Sequence, residues 1–290
     1  MHIHLHHVTH YQYDRAVTLG PQIVRLHPTP HCRARVSSYA LTVEPSSHYI
    51  NWQQDPLANH LARLVFTQAT QEFKLTVDMD VELVSSNPFD FFLDPQAGRF
   101  PFAYSARDAQ ALAPYQACER VGAGTALLQA YLQKLGQAPR PTLDFLVALN
   151  QQVQHDIRYR VRLEPGVQTP LETLQNASGS CRDSAWLLVQ LLRLSGLAAR
   201  FVSGYLLDVD LGASAGAPPP LDTSQLHAWC EVYLPGAGWI GLDATSGLLT
   251  GMGHIPLACA LEPAGAAPVE GATDMAQVQF NHSIELTLTA

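Results

Sequence analysis

The segment at residues 180–196 constrains the fold most, because apolar residues cover almost the whole surface of the helix that it predicts. Spacings of three and four residues place one apolar set on a single helical face, and a second set widens that face until little polar surface remains. The two sets are Ala185, Leu188, Val189 and Leu192, and Trp186, Leu187, Leu191 and Leu194. A helix of this kind is stable only inside a core. We therefore predict a buried helix surrounded by other elements.

The predicted start of this helix gives Cys181 a special setting. Ser180 is a preferred N-cap residue, Asp183 stands at the position of the acidic partner in a capping box, and Gly196 follows the last apolar residue. Cys181 is then the first helical residue. Unpaired backbone N–H groups and the positive end of the helix dipole favour an ionised sulfur there. We expect this sulfur to be nucleophilic near neutral pH.

A second signal is a predicted β-hairpin that begins at His227 and ends at Asp243. Side chains of residues 227–234 alternate in character as they do in a strand, and residues 235–238 have the composition of a turn. Residues 239–243 are predicted to form the return strand. The chain thus presents a cysteine, a histidine and an aspartate in the order nucleophile, base and orienting acid. These settings suit acyl transfer through a thiol.

The register of this hairpin decides where its acid points. If Leu234 were paired with Trp239, the carboxylate and the imidazole would lie on opposite faces of the sheet. If Tyr233 pairs with Trp239 instead, Asp243 lies diagonal to His227 on one face, about 7–8 Å away backbone to backbone. We predict the second register, with a five-residue loop or an equivalent bulge.

Four motifs accompany these residues. They are Gly-Ser-Cys-Arg-Asp-Ser-Ala-Trp at 179–186, Gly-Leu-Ala-Ala-Arg-Phe-Val-Ser-Gly-Tyr at 196–205, His-Ala-Trp-Cys-Glu-Val-Tyr-Leu-Pro-Gly-Ala-Gly-Trp at 227–239, and Leu-Asp-Ala-Thr-Ser-Gly at 242–247. Together they resemble the core of the bacterial transglutaminase-like family, whose members are described as cysteine proteases of the papain-like superfamily. The resemblance covers residues 159–254 and is specific, since all four motifs occur in the right order. Many relatives have a proline after the aspartate, where this chain has Ala244.

The resemblance implies that Cys181, His227 and Asp243 form a catalytic triad that works through a thioester without a cofactor. By geometry, the backbone N–H of Cys181 would be one donor to the oxyanion. Two candidates stay open for the second donor. Gln175 lies six residues before the cysteine, a spacing like that of the glutamine in papain-like proteases, and Tyr159 is an equal candidate.

The first third of the chain predicts antiparallel β structure. Residues 72–83 alternate strictly between apolar and polar side chains, which is the pattern of a half-buried strand. Residues 39–43, 49–52 and 61–67 are also strand-like. The opening strand, residues 4–13, resembles the N-terminal β domain that precedes the core in many bacterial members of the family. We expect a sandwich-like domain.

The chain as a whole predicts an α+β fold in three parts. Residues 1–105 form the N-terminal antiparallel β domain, and residues 271–290 form a closing strand with an alternating apolar pattern. Residues 106–270 form a papain-like or transglutaminase-like α+β core, in which the nucleophile lies at a helix N-terminus packed on an antiparallel sheet.

The segments around this core give further expectations. Residues 88–104 are rich in proline and phenylalanine without a clear period, and we interpret them as the crossing between domains. Helices are predicted at 125–135 and 143–155. Residues 208–224, with three consecutive prolines, predict a loop that forms one wall of the cleft.

Composition limits the classes of function. A formal charge of −8 argues against nucleic acid as a partner. The sequence has no run of about 18 apolar residues and no basic-then-apolar leader, so we expect neither a membrane span nor a signal peptide. The five cysteines, an odd number at irregular spacing, are Cys32, Cys118, Cys181, Cys230 and Cys259. This pattern favours free thiols in the cytoplasm over a disulfide framework.

The amino-terminal histidines allow two interpretations. They are His2, His4, His6, His7 and His10. Three of them alternate on one strand face and could chelate a transition metal. A strand that is simply polar on one side has the same pattern, so we assign no metal site.

Three functions are compatible with the sequence. The favoured one is a cysteine protease or amidase that hydrolyses peptide, isopeptide or related amide bonds of a peptide or protein substrate. The second is a transglutaminase-type acyltransferase that passes the acyl group to an amine. The third is a binding module without catalysis, because a cysteine on an apolar helix is usually inert packing and Asp243 could merely cap a turn.

Overall fold

The computed structural model describes residues 1–85, 87–118, 123–136, 138–162, 164–207 and 225–289. The predicted cleft loop at 208–224 lies outside these residues. The helices are α1 Ala106–Gln116, α2 Ala123–Gln133, α3 Thr142–Asp156, α4 Pro170–Asn176 and α5 Cys181–Leu194. The strands are β1 His2–Val17, β2 Gln22–Val24, β3 Arg35–Glu44, β4 His48–Gln54, β5 His60–Phe66, β6 Thr70–Glu82, β7 Arg99–Phe100, β8 Arg140–Pro141, β9 Arg158–Tyr159, β10 Ser178–Gly179, β11 Ala199–Leu206, β12 Gln225–Leu234, β13 Gly238–Asp243, β14 Leu248–Leu249, β15 His254–Ala260, β16 Val269–Glu270 and β17 Val278–Thr289.

The amino-terminal part consists of two four-stranded antiparallel sheets, as the alternating pattern predicts. One has the strand order β17-β1-β6-β3 and the other β16-β2-β5-β4. Strand β6 buries one face completely, and the residues on that face are Phe73, Leu75, Val77, Met79 and Val81. The closing strand β17 pairs with β1 along its length, from His2 opposite Thr289 to Tyr13 opposite Val278. The end of the chain therefore completes the amino-terminal sheet.

The core is a five-stranded antiparallel sheet packed against helix α5. The sheet has the order β14-β13-β12-β11-β15. Every residue of α5 from Asp183 to Arg193 is buried, which confirms the predicted buried helix. Gly196 follows it at φ +84°, where a residue without a Cβ ends a helix most easily. The observed fold is the α+β arrangement that the sequence predicts.

Two helices and part of the crossing were not predicted. Helices α2 and α3 lie within two residues of their predicted bounds. Helices α1 and α4 are short and held by their caps: Ser105 accepts from the N–H of Asp108, and Thr169 forms a capping box with Glu172. Residues 88–104 contain a 3₁₀ turn at Pro95–Ala97 and strand β7. Helix α4 and β7 are too short to leave a periodic apolar pattern, and α1 has only Leu112 buried and contains Pro114.

The amino-terminal sheets and the core sheet share buried contacts. Strands β11 and β15 contribute Tyr205 and Ile255 to the apolar cluster of the amino-terminal part. The Tyr205 hydroxyl lies 2.8 Å from Nδ1 of His7, and Asn59 exchanges two hydrogen bonds with the backbone of Cys259. Burial lowers the pKa of His7 to about 4, so this ring is neutral at physiological pH. The domain boundaries remain predictions.

The polar face of strand β1 pairs its histidines with acids. His4 Nδ1 lies 2.8 Å from Asp80 Oδ1, and His6 Nδ1 lies 2.7 Å from Asp78 Oδ1.

Among the described residues, no helix is long and apolar enough to cross a membrane.

Candidate active site

The hairpin of β12 and β13 brings His227 and Asp243 to one face of the sheet. Tyr233 lies opposite Trp239, which confirms the predicted register. One further pair closes the hairpin, so the loop has three unpaired residues, 235–237, rather than five. Glycines at φ +90° and +77° allow this tighter reversal.

His227 and Asp243 form a buried imidazole–carboxylate pair. The Nε2 atom of His227 lies 3.1 Å from Oδ2 of Asp243, and the two residues are 4% and 1% exposed. Thr245 donates to Oδ1 from its backbone N–H at 2.9 Å and from its hydroxyl at 2.7 Å. Burial alone would raise the pKa of Asp243, but hydrogen bonds from His227 and the other donors hold it well below its usual range. The acid is therefore ionised.

Cys181 contributes to the pKa of the same imidazole. It is the first residue of α5 and partly exposed. Burial would lower the pKa of His227, but hydrogen bonding and charge from Asp243 and Cys181 raise it to about 9. Because Nε2 faces the carboxylate, Nδ1 is the nitrogen left for the sulfur. Nδ1 makes no hydrogen bond to a described residue. Catalytic hydrogen bonds often form fully only when substrate binds.

Asp183 fixes the helix start that carries the cysteine. Its carboxylate is fully buried and accepts hydrogen bonds from the N–H and hydroxyl of Ser180 at 2.7 and 2.8 Å. It also accepts from Arg162 at 2.7 Å and from the N–H of Gln168 at 2.7 Å. A Cβ at Gly179 would lie 2.7 Å from the Asp183 Cβ, so only glycine fits there. The acidic capping partner was predicted, whereas Arg162 was not.

The two candidates for the second oxyanion donor lie in different places. Tyr159, in β9, pairs with Gly179 just before the cysteine. Burial raises the pKa of Tyr159, and the charges of Cys181 and Asp243 raise it further. Gln175 is exposed near the end of α4, and no described hydrogen bond joins it to the site.

His254 is a site residue that the sequence analysis missed. It begins strand β15, and its Nε2 atom lies 3.3 Å from Oδ2 of Asp243. Asp243 thus faces two imidazoles through one carboxylate oxygen. The available signal was the position of His254 at the head of an otherwise apolar strand.

Two sets of side chains in the described structure are close enough to hold a metal ion. In each set the potential ligand atoms lie within 4.8 Å of one another. The sets are His227, Asp243 and His254, and His31, Glu231 and Cys259.

The fold and this site define a transglutaminase-like protein of the papain-like class, with an added amino-terminal β region. Residues 3–82 match the family described as bacterial transglutaminase-like N-terminal region. Residues 129–244 match the transglutaminase-like superfamily. Both parts of the chain therefore match the transglutaminase-like models that its four motifs predicted.

Solved structures and curated sequences agree with this assignment. The crystal structure of a proposed cysteine protease from Cytophaga hutchinsonii is similar, with a TM-score of 0.70 at 19% identity over 99% of this chain and 90% of that one. An uncharacterised protein of Mycobacterium tuberculosis H37Rv is 27% identical over 91% of this chain and 85% of its own length. An uncharacterised Mycobacterium bovis protein has the same identity and coverage.

Proposed function

We propose that this protein is a thiol-dependent acyl-transfer enzyme that hydrolyses peptide, isopeptide or related amide bonds. One observation carries the proposal: His227 is hydrogen-bonded to a buried, ionised carboxylate, and the cysteine at a helix N-terminus helps to raise the pKa of the same ring. This is the arrangement that nucleophile, base and orienting acid need for covalent catalysis.

The first half of the reaction forms a thioester. The thiolate of Cys181 attacks the amide carbonyl carbon, and the carbonyl oxygen becomes an oxyanion near the backbone N–H of Cys181. The C–N bond then breaks, and the His227 imidazolium gives its proton to the leaving amine. Asp243 holds the ring and stabilises its positive charge.

The second half of the reaction breaks the thioester. His227, now neutral, takes a proton from water, and the resulting oxygen nucleophile attacks the thioester carbonyl. The C–S bond breaks, a carboxylic acid leaves, and the thiolate–imidazolium pair is restored.

An amine in place of water would turn the same thioester into a transglutaminase intermediate. The match to the transglutaminase-like superfamily supports this second function. Ammonia release that rises with added amine, together with incorporation of that amine into the product, would favour transamidation. Hydrolysis without incorporation would favour the protease or amidase.

Thiol labelling tests the catalytic site without a known substrate. Iodoacetamide labelling between pH 5 and 9, read by mass spectrometry for each cysteine, should show that Cys181 reacts fastest near neutral pH. A binding module predicts no advantage of Cys181 over the other four cysteines. Hydrolysis of fluorogenic peptide amides and of a γ-glutamyl-lysine isopeptide then gives the substrate class.

The proposed setting is a reducing compartment such as the cytoplasm. All five cysteines are free in the structure, which supports that setting. The proposed partner is a peptide or protein that carries the amide.

A further inference from the structure

We infer that His254 is a positioning residue of the catalytic centre, a second histidine that holds the carboxylate of Asp243 in place by donating from Nε2. This inference rests on the proposed function, because it assigns a role in the same triad. The relevant contact is the 3.3 Å separation between His254 Nε2 and Asp243 Oδ2.

The backbone fixes which nitrogen of His254 carries the proton. The N–H of Gly251 donates to Nδ1 of His254 at 3.2 Å. A backbone N–H can only donate, so Nδ1 must be the unprotonated nitrogen, and in a neutral ring the proton is then on Nε2. Nε2 therefore donates to the carboxylate.

Packing fixes the orientation of the same ring. The His254 ring meets the buried indole of Trp229 edge to face, with centroids 5.1 Å apart and planes at 87°. The indole in turn lies over Gly204 in β11, where a Cβ would be 2.4 Å from the indole Cη2 atom. The His254 side chain is only 12% exposed. Backbone and indole together leave the ring one orientation.

The charges around Asp243 suit a neutral donor at this position. Both carboxylate oxygens are in use, since Oδ1 accepts twice from Thr245 and Oδ2 faces both imidazoles. Among the described residues, the titratable groups hydrogen-bonded to the carboxylate are His227 and His254, and its charge also raises the pKa of Tyr159. A neutral His254 adds a hydrogen bond without a second positive charge, so the negative charge of Asp243 stays available to the imidazolium.

The same hydrogen bond disfavours a metal among these side chains. A metal on Nε2 of His254 would require the proton on Nδ1, which would then face the N–H of Gly251. Two donors would oppose each other. The positioning role therefore fits the ring better than a ligand role does.

A matched pair of substitutions tests the role. In H254Q the side-chain amide can place its N–H₂ near the position of Nε2, whereas the shorter H254N places it near Nδ1 and leaves the carboxylate without this donor. We expect H254N to lower kcat for amide hydrolysis, and the neutral-pH labelling rate of Cys181, by about tenfold, with KM changed little. H254Q should recover most of both losses. H31N, a histidine change outside the site, is the control and should match wild type.

The outcomes separate this inference from the proposed function. If wild-type protein lacks preferential labelling of Cys181 and hydrolyses no amide, the proposed function fails. If wild type is active and H254N is equally active, or if folded H254N and H254Q are equally impaired, only the positioning role is overturned. Should H254N not fold, the ¹⁵N shifts of the His254 ring in wild type decide. A protonated Nε2 supports the role, and a protonated Nδ1 overturns it.

Discussion

Among the described residues, two groups of cysteine, histidine and carboxylate include residues of the same five-stranded sheet, yet only one has the geometry of a catalytic centre. In the second group, His31 Nε2 lies 3.6 Å from Cys259 Sγ and 3.5 Å from Glu231 Oε1. One ring nitrogen thus faces both partners. In the candidate site, Nε2 of His227 faces the acid, which leaves Nδ1 for the thiol. A ring that the acid holds while it exchanges a proton with the thiol needs one nitrogen for each partner, so the residue types alone do not define a triad.

The two thiols also differ in their surroundings. Cys259 lies within strand β15 and is 1% exposed. Burial raises its pKa well above the ordinary value, and the charge of Glu231 raises it further. Cys181 begins a helix, where backbone N–H groups point at its sulfur, and is partly exposed.

The two carboxylates have different partners as well. Burial would raise the pKa of Glu231, but Arg200 and then His31 hold it at about 2. Arg200 donates to Glu231 at 2.7 and 2.8 Å and cannot lose its proton. Asp243 instead pairs with imidazoles, which can lose a proton. The second group is therefore a fixed buried ion pair at the junction with the amino-terminal sheets, whereas the first can change charge during a reaction.

The largest expected contrast is between the two cysteines. C181A should lower amide hydrolysis by on the order of 10³-fold or more, because it removes the nucleophile. C259A removes a buried thiol of strand β15 and should leave kcat of the folded protein within about twofold of wild type. Rates from matched amounts of folded protein check this. Comparable losses in both variants would place the chemistry elsewhere.

The two acids should separate activity from stability. D243N keeps the shape of the site but loses the charge that orients His227, so we expect kcat to fall on the order of 10³-fold. E231Q leaves the buried Arg200 without its counter-ion and should lower the free energy of unfolding by about 3–5 kcal/mol.

Urea unfolding and kcat, measured on both variants below the unfolding transition, test this separation. E231Q should retain near-normal kcat while it is folded. If E231Q loses as much kcat as D243N under these conditions, the second group is part of the active centre and the contrast is lost.

The sequence predicted the features that depend on neighbours along the chain. The start of α5 follows from Ser180 and Asp183, and the hairpin register follows from the expectation that His227 and Asp243 share one face of the sheet. His254 escaped prediction because its role depends on the order of strands in the sheet. Its strand, β15, pairs with β11 rather than with β12 or β13, and its ring is oriented by an indole packed over Gly204. Alternation within one strand carries no information about such neighbours.

Arg162 was missed for a similar reason. It reaches Asp183 from a loop that has no periodic pattern, and only the folded chain shows that the capping carboxylate is buried and needs a cation. The pairing of strand β17 was also out of reach of the sequence. Alternation predicted a strand there, but the pairing of the chain end with β1 belongs to the tertiary structure.

The pH dependence should distinguish the two histidines. His227 has a pKa of about 9, raised from 6.5, so its imidazolium is present at neutral pH and disappears as the pH rises through about 9. Acylation should then slow about tenfold per pH unit above that value, because the acid that protonates the leaving amine is gone. The stability from this group is complete below pH 6.5 and is lost between 6.5 and about 9.

A profile of kcat/KM from pH 6 to 10.5 tests whether the rate falls as the pH rises through about 9. D243N should move the alkaline limb to lower pH, since it removes a group that raises the pKa of His227. H31N should leave the limb unchanged. If H31N shifts the alkaline limb and D243N does not, the assignment of this limb to His227 is contradicted.

The smallest expected effect separates Tyr159 from Gln175 as the second oxyanion donor. Y159F removes a hydroxyl whose pKa is raised by the charges of Cys181 and Asp243. Because Tyr159 is 43% exposed, water can replace part of its contribution, and kcat should fall severalfold rather than by the roughly 10²-fold typical of a fully enclosed donor. Q175A should change kcat by less than about twofold, since its exposed side chain has no described hydrogen bond to the site. The reverse pattern, a loss in Q175A with normal Y159F, would move the oxyanion donor to α4 and require that helix to shift toward the sulfur when substrate binds.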